Sequence, residues 1–159
     1  MTPAPAHWTG SPWGARSSWV AIPAAFLALV TLVGAAGANR WNPQGRPFDA
    51  LSALLLVLAP AAVVLVVRGG VLAVVGALLA VSGPTAFVAL GHAPGPAYVP
   101  LGVVVVALGV TRQRPISVAA GAAGVVAVLL VSRGAGSPSP VWATVTVAGL
   151  SVAMLLGEG

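Results

Sequence analysis

The side chains of this chain that could do chemistry are few: two carboxylates, seven arginines, two histidines and no cysteine among 159 residues. Two carboxylates can share acid/base hydrolysis only when they flank one substrate. On the helical arrangement predicted below, Asp49 and Glu158 fall at opposite membrane surfaces, roughly 30 Å apart. We therefore expect no catalytic residue. The absence of cysteine excludes disulfides, thiolate metal sites and iron–sulfur clusters, and we expect neither a metal nor a cofactor.

Asp49 has a structural explanation, because it stands directly before a long apolar run. A carboxylate at that position accepts backbone N–H bonds and faces the positive end of the helix dipole. Arg46 is near enough in sequence to neutralise it. The pattern predicts that Asp49 caps the following helix, with Arg46 as its ion-pair partner.

His92 is the titratable group of a Gly- and Pro-rich loop, with Tyr98 close by. Such a histidine could report pH or bind a ligand. The alternative, which we favour at this stage, is a solvent-exposed loop imidazole. The serines and threonines within the apolar runs have no base at membrane depth to activate them, and we expect their hydroxyls to bond to the preceding helical turn.

Composition places these residues in a lipid bilayer. Hydrophobic residues make up 58% of the chain and charged residues 6%, and the mean hydropathy is +1.03. Strands in lipid require a closed barrel with alternating polarity, which these unbroken runs lack. The sequence predicts an all-α polytopic bundle of about six transmembrane helices. After a mobile tail at 1–18, the spans are placed at 19–38, 50–67, 71–90, 98–111, 116–131 and 141–156.

Six spans place both termini on one side of the membrane, and the arginines give a weak bias on which side that is. The side of the termini carries four arginines and the opposite side three, which favours cytoplasmic termini. The four are Arg16, Arg68, Arg112 and Arg114; the three are Arg40, Arg46 and Arg133. An alternative is that the first segment, ending in Ala36-Gly37-Ala38, is a cleaved signal peptide. Five spans and termini on opposite sides would then result.

Two prolines fall inside predicted spans, Pro60 in the second and Pro84 in the third. Each removes a backbone hydrogen bond and is expected to kink its helix, as a fixed shape or as a hinge.

No ionisable residue lies in the interior of a span, whereas ion pathways and coupled transporters usually place one there. A Gly-rich phosphate loop ending in Lys is also missing, which argues against nucleotide chemistry. The scattered arginines do not form a nucleic-acid site.

The sequence resembles a known module in the stretch from Gly45-Arg46-Pro47-Phe48-Asp49 to Leu90-Gly91-His92 and Gly95-Pro96. It is similar to the membrane-spanning N-terminal region of sensor histidine kinases from high-GC Gram-positive bacteria, of the nitrate-response type. In that family the spans form a sensory or anchoring bundle. The resemblance implies a last helix that continues into a cytoplasmic, ATP-dependent kinase core. The implied partners are that core, a response regulator and, in one arrangement, a second copy of the chain.

Two functions stay open on the sequence. The first is a membrane-embedded sensory and anchoring module of a two-component system in the bacterial plasma membrane, without catalytic residues of its own. The second is a stand-alone multipass protein, either a permease component or a structural partner. For the first, the short loops favour stimuli that arise in the membrane, such as lipid packing or tension. Possible sensory or structural residues are Arg46, Asp49, His92, Pro60 and Pro84.

Overall fold

The computed structural model describes residues 13–41, 46–111, 113–133 and 139–158, and these form six helices and no strand. The all-α prediction is confirmed for this part of the chain. The helices are α1 (Trp13–Arg40), α2 (Ala50–Arg68), α3 (Val71–Ala89), α4 (Val99–Val110), α5 (Arg114–Val131) and α6 (Pro140–Glu158).

The helix boundaries follow the predicted spans to within two residues, except at the start of α1. Residues 1–12 of the predicted tail lie outside the described residues. α1 begins at Trp13, six residues before the predicted start at Trp19. No proline interrupts the chain between Pro12 and Pro23, so the helix continues through the polar stretch around Arg16 and satisfies its own backbone hydrogen bonds.

Five of the six helices are long and apolar enough to cross a membrane. Helices of 18 to 21 residues with these compositions extend about 27–32 Å, which matches the hydrocarbon thickness of a bilayer. α4 has 12 residues, or about 18 Å of helix. The protein therefore has the architecture of a multi-pass membrane protein.

The bundle has two ends, named here the His92 end and the Arg68 end. The connection between α3 and α4 lies at the His92 end, where Gly95 approaches Ala38 near the end of α1. The α2–α3 turn lies at the Arg68 end, where the amide of Gln113 sits beside Gly69. α4 thus runs from one end to the other despite its length. α1 ends at the His92 end and α6 ends at the Arg68 end.

The turn between α2 and α3 is built from two glycines in the left-handed region. Gly69 has φ of +75° and Gly70 has φ of +60°, values that side chains with a Cβ rarely adopt. Arg68 ends α2 directly before them. The tight antiparallel turn predicted at Arg68-Gly69-Gly70 is confirmed.

α2 and α3 pack closely because α3 presents small residues to its neighbour. A Cβ on Gly76 would lie 2.9 Å from the carbonyl oxygen of Ala62 and 2.9 Å from Cγ2 of Val66. A Cβ on Gly83 would lie 2.5 Å from the carbonyl oxygen of Leu55. Because lipid provides no hydrophobic driving force for helix association, van der Waals contact at such close backbone approach supplies much of the packing energy.

α4 occupies the centre of the bundle and packs against all five other helices. Five of its side chains are fully buried: Pro100, Leu101, Val104, Val105 and Leu108. The backbones of Gly109 on α4 and Gly157 on α6 are in direct contact at the Arg68 end. α1 is peripheral, with Ile22 69% exposed and Phe26 67% exposed. Apolar side chains directed away from the bundle are what lipid contact favours.

The hydroxyls inside the helices follow the prediction in most but not all cases. The prediction is confirmed for Thr31, Thr85, Thr144, Thr146 and Ser151, which donate to the carbonyl four residues earlier. It is wrong for Ser117, whose Oγ donates to the carbonyl of Val105 on α4 at 2.8 Å. Ser117 is 2% exposed, so its hydroxyl joins two helices. Ser52 is the second exception.

Candidate functional site

Four polar residues meet at the His92 end and form the His92 cluster: Arg46, Asp49, Ser52 and His92. Asp49 and Ser52 come from the first turn of α2, and Arg46 precedes that helix. His92 follows α3 by way of Gly91, whose φ of +87° turns the chain back toward α2. Residues 40 or more positions apart in sequence are thereby brought within hydrogen-bond distance.

Asp49 caps α2, as predicted. Its Oδ1 accepts the backbone N–H of Ser52 at 2.8 Å, and the Ser52 side chain accepts the backbone N–H of Asp49 at 3.3 Å. This reciprocal pair is a capping box with serine at its third position. Arg46 forms the predicted ion pair, with its guanidinium 3.2 Å from Oδ2 of Asp49.

The same contacts hold the Asp49 carboxyl in its charged form. Hydrogen bonds from the Ser52 side chain and backbone, followed by the charge of Arg46, lower the pKa of Asp49 from 3.8 to about 2. Partial desolvation opposes this shift. Asp49 therefore remains a carboxylate throughout the range in which histidine titrates.

His92 is buried, at 3% exposure, and the expectation of a solvent-exposed imidazole is wrong. The reason is that the connection folds inward over the ends of α2 and α3. The ring lies against Phe87 with centroids 4.6 Å apart and planes inclined by 14°. Its Nε2 lies 3.0 Å from Oγ of Ser52, and its Nδ1 lies 3.2 Å from the carbonyl oxygen of Arg46.

The connection that carries His92 is also attached to α1. The backbone N–H of Ala93 donates to Oδ1 of Asn39, near the end of α1, at 2.8 Å. The backbone N–H of Arg46 donates to the carbonyl of Gly91 at 3.1 Å. The cluster therefore joins the end of α1, the start of α2 and the end of α3.

Two aromatic residues continue these contacts to α4 and α6. The Tyr98 hydroxyl, at the start of α4, donates to Oγ1 of Thr85 at 3.1 Å. The Tyr98 ring packs against Trp142 of α6 with centroids 5.7 Å apart. The Trp142 indole N–H donates to the carbonyl of Gly95 at 3.4 Å. The contact with α6 is thus made by Gly95, with two residues between it and His92.

Ser52, His92 and Asp49 are the residue types of a hydrolytic triad, but they are connected in a different order. In a triad the carboxylate orients Nδ1 of the histidine, while Nε2 takes the proton of the serine. Here the Asp49 carboxylate accepts from Ser52 at 2.6 Å, and a backbone carbonyl faces Nδ1. Ser52 is also fully buried. This geometry suits the binding of a proton rather than attack on a substrate.

Three of the four cluster members, Arg46, Asp49 and His92, were predicted from the sequence as candidate residues. The sequence did not predict that His92 lies next to the other two. Ser52 was missed, although Asp-x-x-Ser ahead of an apolar run is a recognisable capping signature. Pro60 and Pro84 are buried within α2 and α3 and lie outside the cluster. Within the described residues no three His, Asp or Glu side chains gather as a metal site would require.

A second feature is an apolar groove of about 760 Å³ between α4 and α6. Its lining includes valines of both helices together with Gly102 and Gly149. Tyr98 and Trp142 line it at the His92 end. The two helices meet within the groove, since a Cβ on Gly102 would lie 3.9 Å from Cβ of Ala153.

Comparisons of this chain with protein-family models, with curated proteins and with solved structures found no match.

Proposed function

We propose that this chain is a membrane-embedded input and anchoring module of a signalling protein, with α6 as its output element. The observation that carries this proposal is the set of contacts from the His92 cluster to α6. His92 and Gly95 belong to one short connection, and Gly95 accepts the indole N–H of Trp142 at the start of α6. A change at the cluster would therefore reach α6 at the His92 end of the bundle.

The proposed orientation places the Arg68 end at the cytoplasm of a bacterial cell and the His92 end outside the plasma membrane. The excess of arginine on the side of Arg68 supports this orientation. α6 then delivers its C-terminal end, with Gly157 packed on Gly109, to the cytoplasmic side. This is the side on which a signal must emerge to reach a soluble effector.

The resemblance to sensor histidine kinases supports a kinase core as the effector and a response regulator as its partner. Movement of α6 by piston, tilt or rotation would bias a two-state cytoplasmic element. The groove between α4 and α6 favours this, because a helix with unfilled space beside it can shift without overlapping close-packed neighbours.

The test uses a cysteine pair across α4 and α6. A Cβ on Gly102 would lie 3.9 Å from Cβ of Ala153, which fits disulfide geometry. The chain has no native cysteine, so Gly102→Cys with Ala153→Cys forms the one intramolecular pair. The two single-cysteine variants are the controls. We expect the crosslinking rate in membranes, corrected for the thiolate fraction measured on the single-cysteine variants, to change with pH or with acyl-chain length. An invariant corrected rate under both would contradict the proposal.

The kinase assignment has its own test, which is the genomic reading frame downstream of the codon for Gly159. Continuation into a charged helix with a His-Asp or His-Glu pair, and later Asn and Gly-rich boxes, would support it. A stop codon at that point beside genes for transporter parts would favour the stand-alone membrane protein.

A further inference from the structure

We propose that His92 is a proton-binding site. When protonated, the imidazole holds the α3–α4 connection against the start of α2, and when neutral it releases the connection. This inference rests on the proposed function, since it names the proton as a stimulus for the same cluster. It is carried by the positions of the donors and acceptors around the ring.

The contacts on the ring are satisfied together in one protonation state. The carbonyl oxygen of Arg46 can only accept, so Nδ1 must carry a proton to bond with it. Ser52 Oγ has one proton, which points to the Asp49 carboxylate across 2.6 Å. It is then left to accept, and Nε2 must also carry a proton. The doubly protonated imidazolium is the form that fits.

Each neutral form loses one of these bonds. With the proton on Nδ1 alone, Nε2 needs the Ser52 hydroxyl proton, and two oxygens 2.6 Å apart are left without a proton between them. With the proton on Nε2 alone, a nitrogen lone pair faces the Arg46 carbonyl at 3.2 Å. A buried polar group without a partner is costly, so the neutral ring favours separation of the connection from α2.

The surroundings of His92 are compatible with a buried cation. The stacked Phe87 ring presents its π face at 4.6 Å, a geometry that attracts cations. The Asp49 carboxylate is one hydroxyl away and is about 40% exposed, which gives protons a route from water through Ser52. The other titratable or charged side chains described at this end are Arg40 on α1, Arg46 before α2, Tyr98 before α4 and Arg133 after α5, while α3 and α6 contribute Phe87 and Trp142.

Release of the ring affects α6 through the backbone of the connection. Ala93, next to His92, is held by Asn39, and Gly95 is held by Trp142. When the bond from the ring to Arg46 or to Ser52 is lost, these two hydrogen bonds remain to hold the connection to α1 and α6. We therefore expect proton loss at His92 to increase opening of the Ala93 amide and to move Trp142.

The experiment uses the full chain in micelles with His7→Gln, which leaves His92 as the sole imidazole. Nitrogen NMR of labelled histidine follows the protonation of both ring nitrogens between about pH 8 and about pH 5. In the same samples the protection factor of the Ala93 amide is measured, corrected for the intrinsic pH dependence of exchange. We expect protection to fall about tenfold as the ring loses its proton, the scale of one charge-assisted hydrogen bond.

Two variants complete the design. Ser52→Ala removes the hydroxyl between His92 and Asp49, and we expect it to weaken the coupling between ring protonation and Ala93 protection. Ser151→Ala is the matched control, because its hydroxyl bonds within α6 to Val147, and it should leave the coupling unchanged. Ring titration with constant Ala93 protection would overturn the proton switch.

The readouts also separate the switch from the proposed function. If Ala93 protection responds to pH while the Gly102→Cys/Ala153→Cys crosslinking rate does not, the switch stands and α6 is not its output. If the crosslinking rate responds to acyl-chain length while Ala93 protection does not change with pH, the result supports the proposed input module and excludes the proton as its stimulus.

Discussion

Replacement of Gly76 by alanine tests whether the α2–α3 contact is as close as the fold requires. The new Cβ would lie 2.9 Å from the carbonyl oxygen of Ala62 and 2.9 Å from Cγ2 of Val66. Because one of these atoms belongs to the backbone, the clash cannot be relieved by rotating a side chain. Overpacking of this kind costs about 1–3 kcal/mol.

The matched control is Gly149→Ala, in the body of α6, where a Cβ would meet no atom within 4 Å. Both substitutions gain the same intrinsic helix preference of alanine over glycine, up to about 1 kcal/mol. That gain cancels in the comparison. The difference in free energy of unfolding between the two variants therefore measures the clash, and we expect Gly76→Ala to be less stable by about 1–3 kcal/mol.

The measurement is reversible unfolding in mixed micelles, or steric trapping in a bilayer, with both variants in the same host. Equal stability of the two variants, or a more stable Gly76→Ala, would refute the close approach of α3 to α2. It would also contradict the close packing of the two helices beside whose ends the His92 cluster lies.

Three further predictions concern single contacts. Ser117→Ala removes the hydroxyl bond to Val105 on α4 and should lower the free energy of unfolding by about 0.5–1 kcal/mol, whereas Ser151→Ala should be neutral. Because the folded-state pKa of Asp49 is depressed from 3.8 to about 2, its contribution to stability is complete above pH 3.8 and is lost as the pH falls through about 2. Acid titration of the unfolding free energy should show this loss, and Asp49→Asn should lack it. Trp142→Phe removes the indole bond to Gly95 and should change the Gly102→Cys/Ala153→Cys crosslinking rate, with Trp41→Phe as the exposed control.

The helices were predictable because lipid leaves few alternatives. An apolar run in a bilayer must satisfy its backbone internally, so the spans follow from hydrophobicity and from breaks such as Gly69-Gly70. The cap at Asp49 was predictable for a similar reason, since it depends on residues within one turn of each other. Small residues lie at helix contacts, as Gly76 and Gly124 do, because they let helices in lipid approach closely.

The burial of His92 could not be predicted from local sequence. A Gly- and Pro-rich loop at the end of a span is normally exposed. Here the fold of the connection depends on partners far along the chain, including Asn39 on α1 and Trp142 on α6. No periodicity or short motif encodes those contacts, and the role of Ser52 as a link between Asp49 and His92 depends on them.

The connection between α3 and α4 joins the polar cluster to the last helix. It is buried at His92, which is 3% exposed, and it leads into α4, which supplies about 18 Å of helix. His92 meets Ser52 and the Arg46 carbonyl, and three residues later Gly95 meets Trp142. Because both contacts lie on one short segment, we expect a displacement of the imidazole to reach the start of α6 through the backbone of the connection.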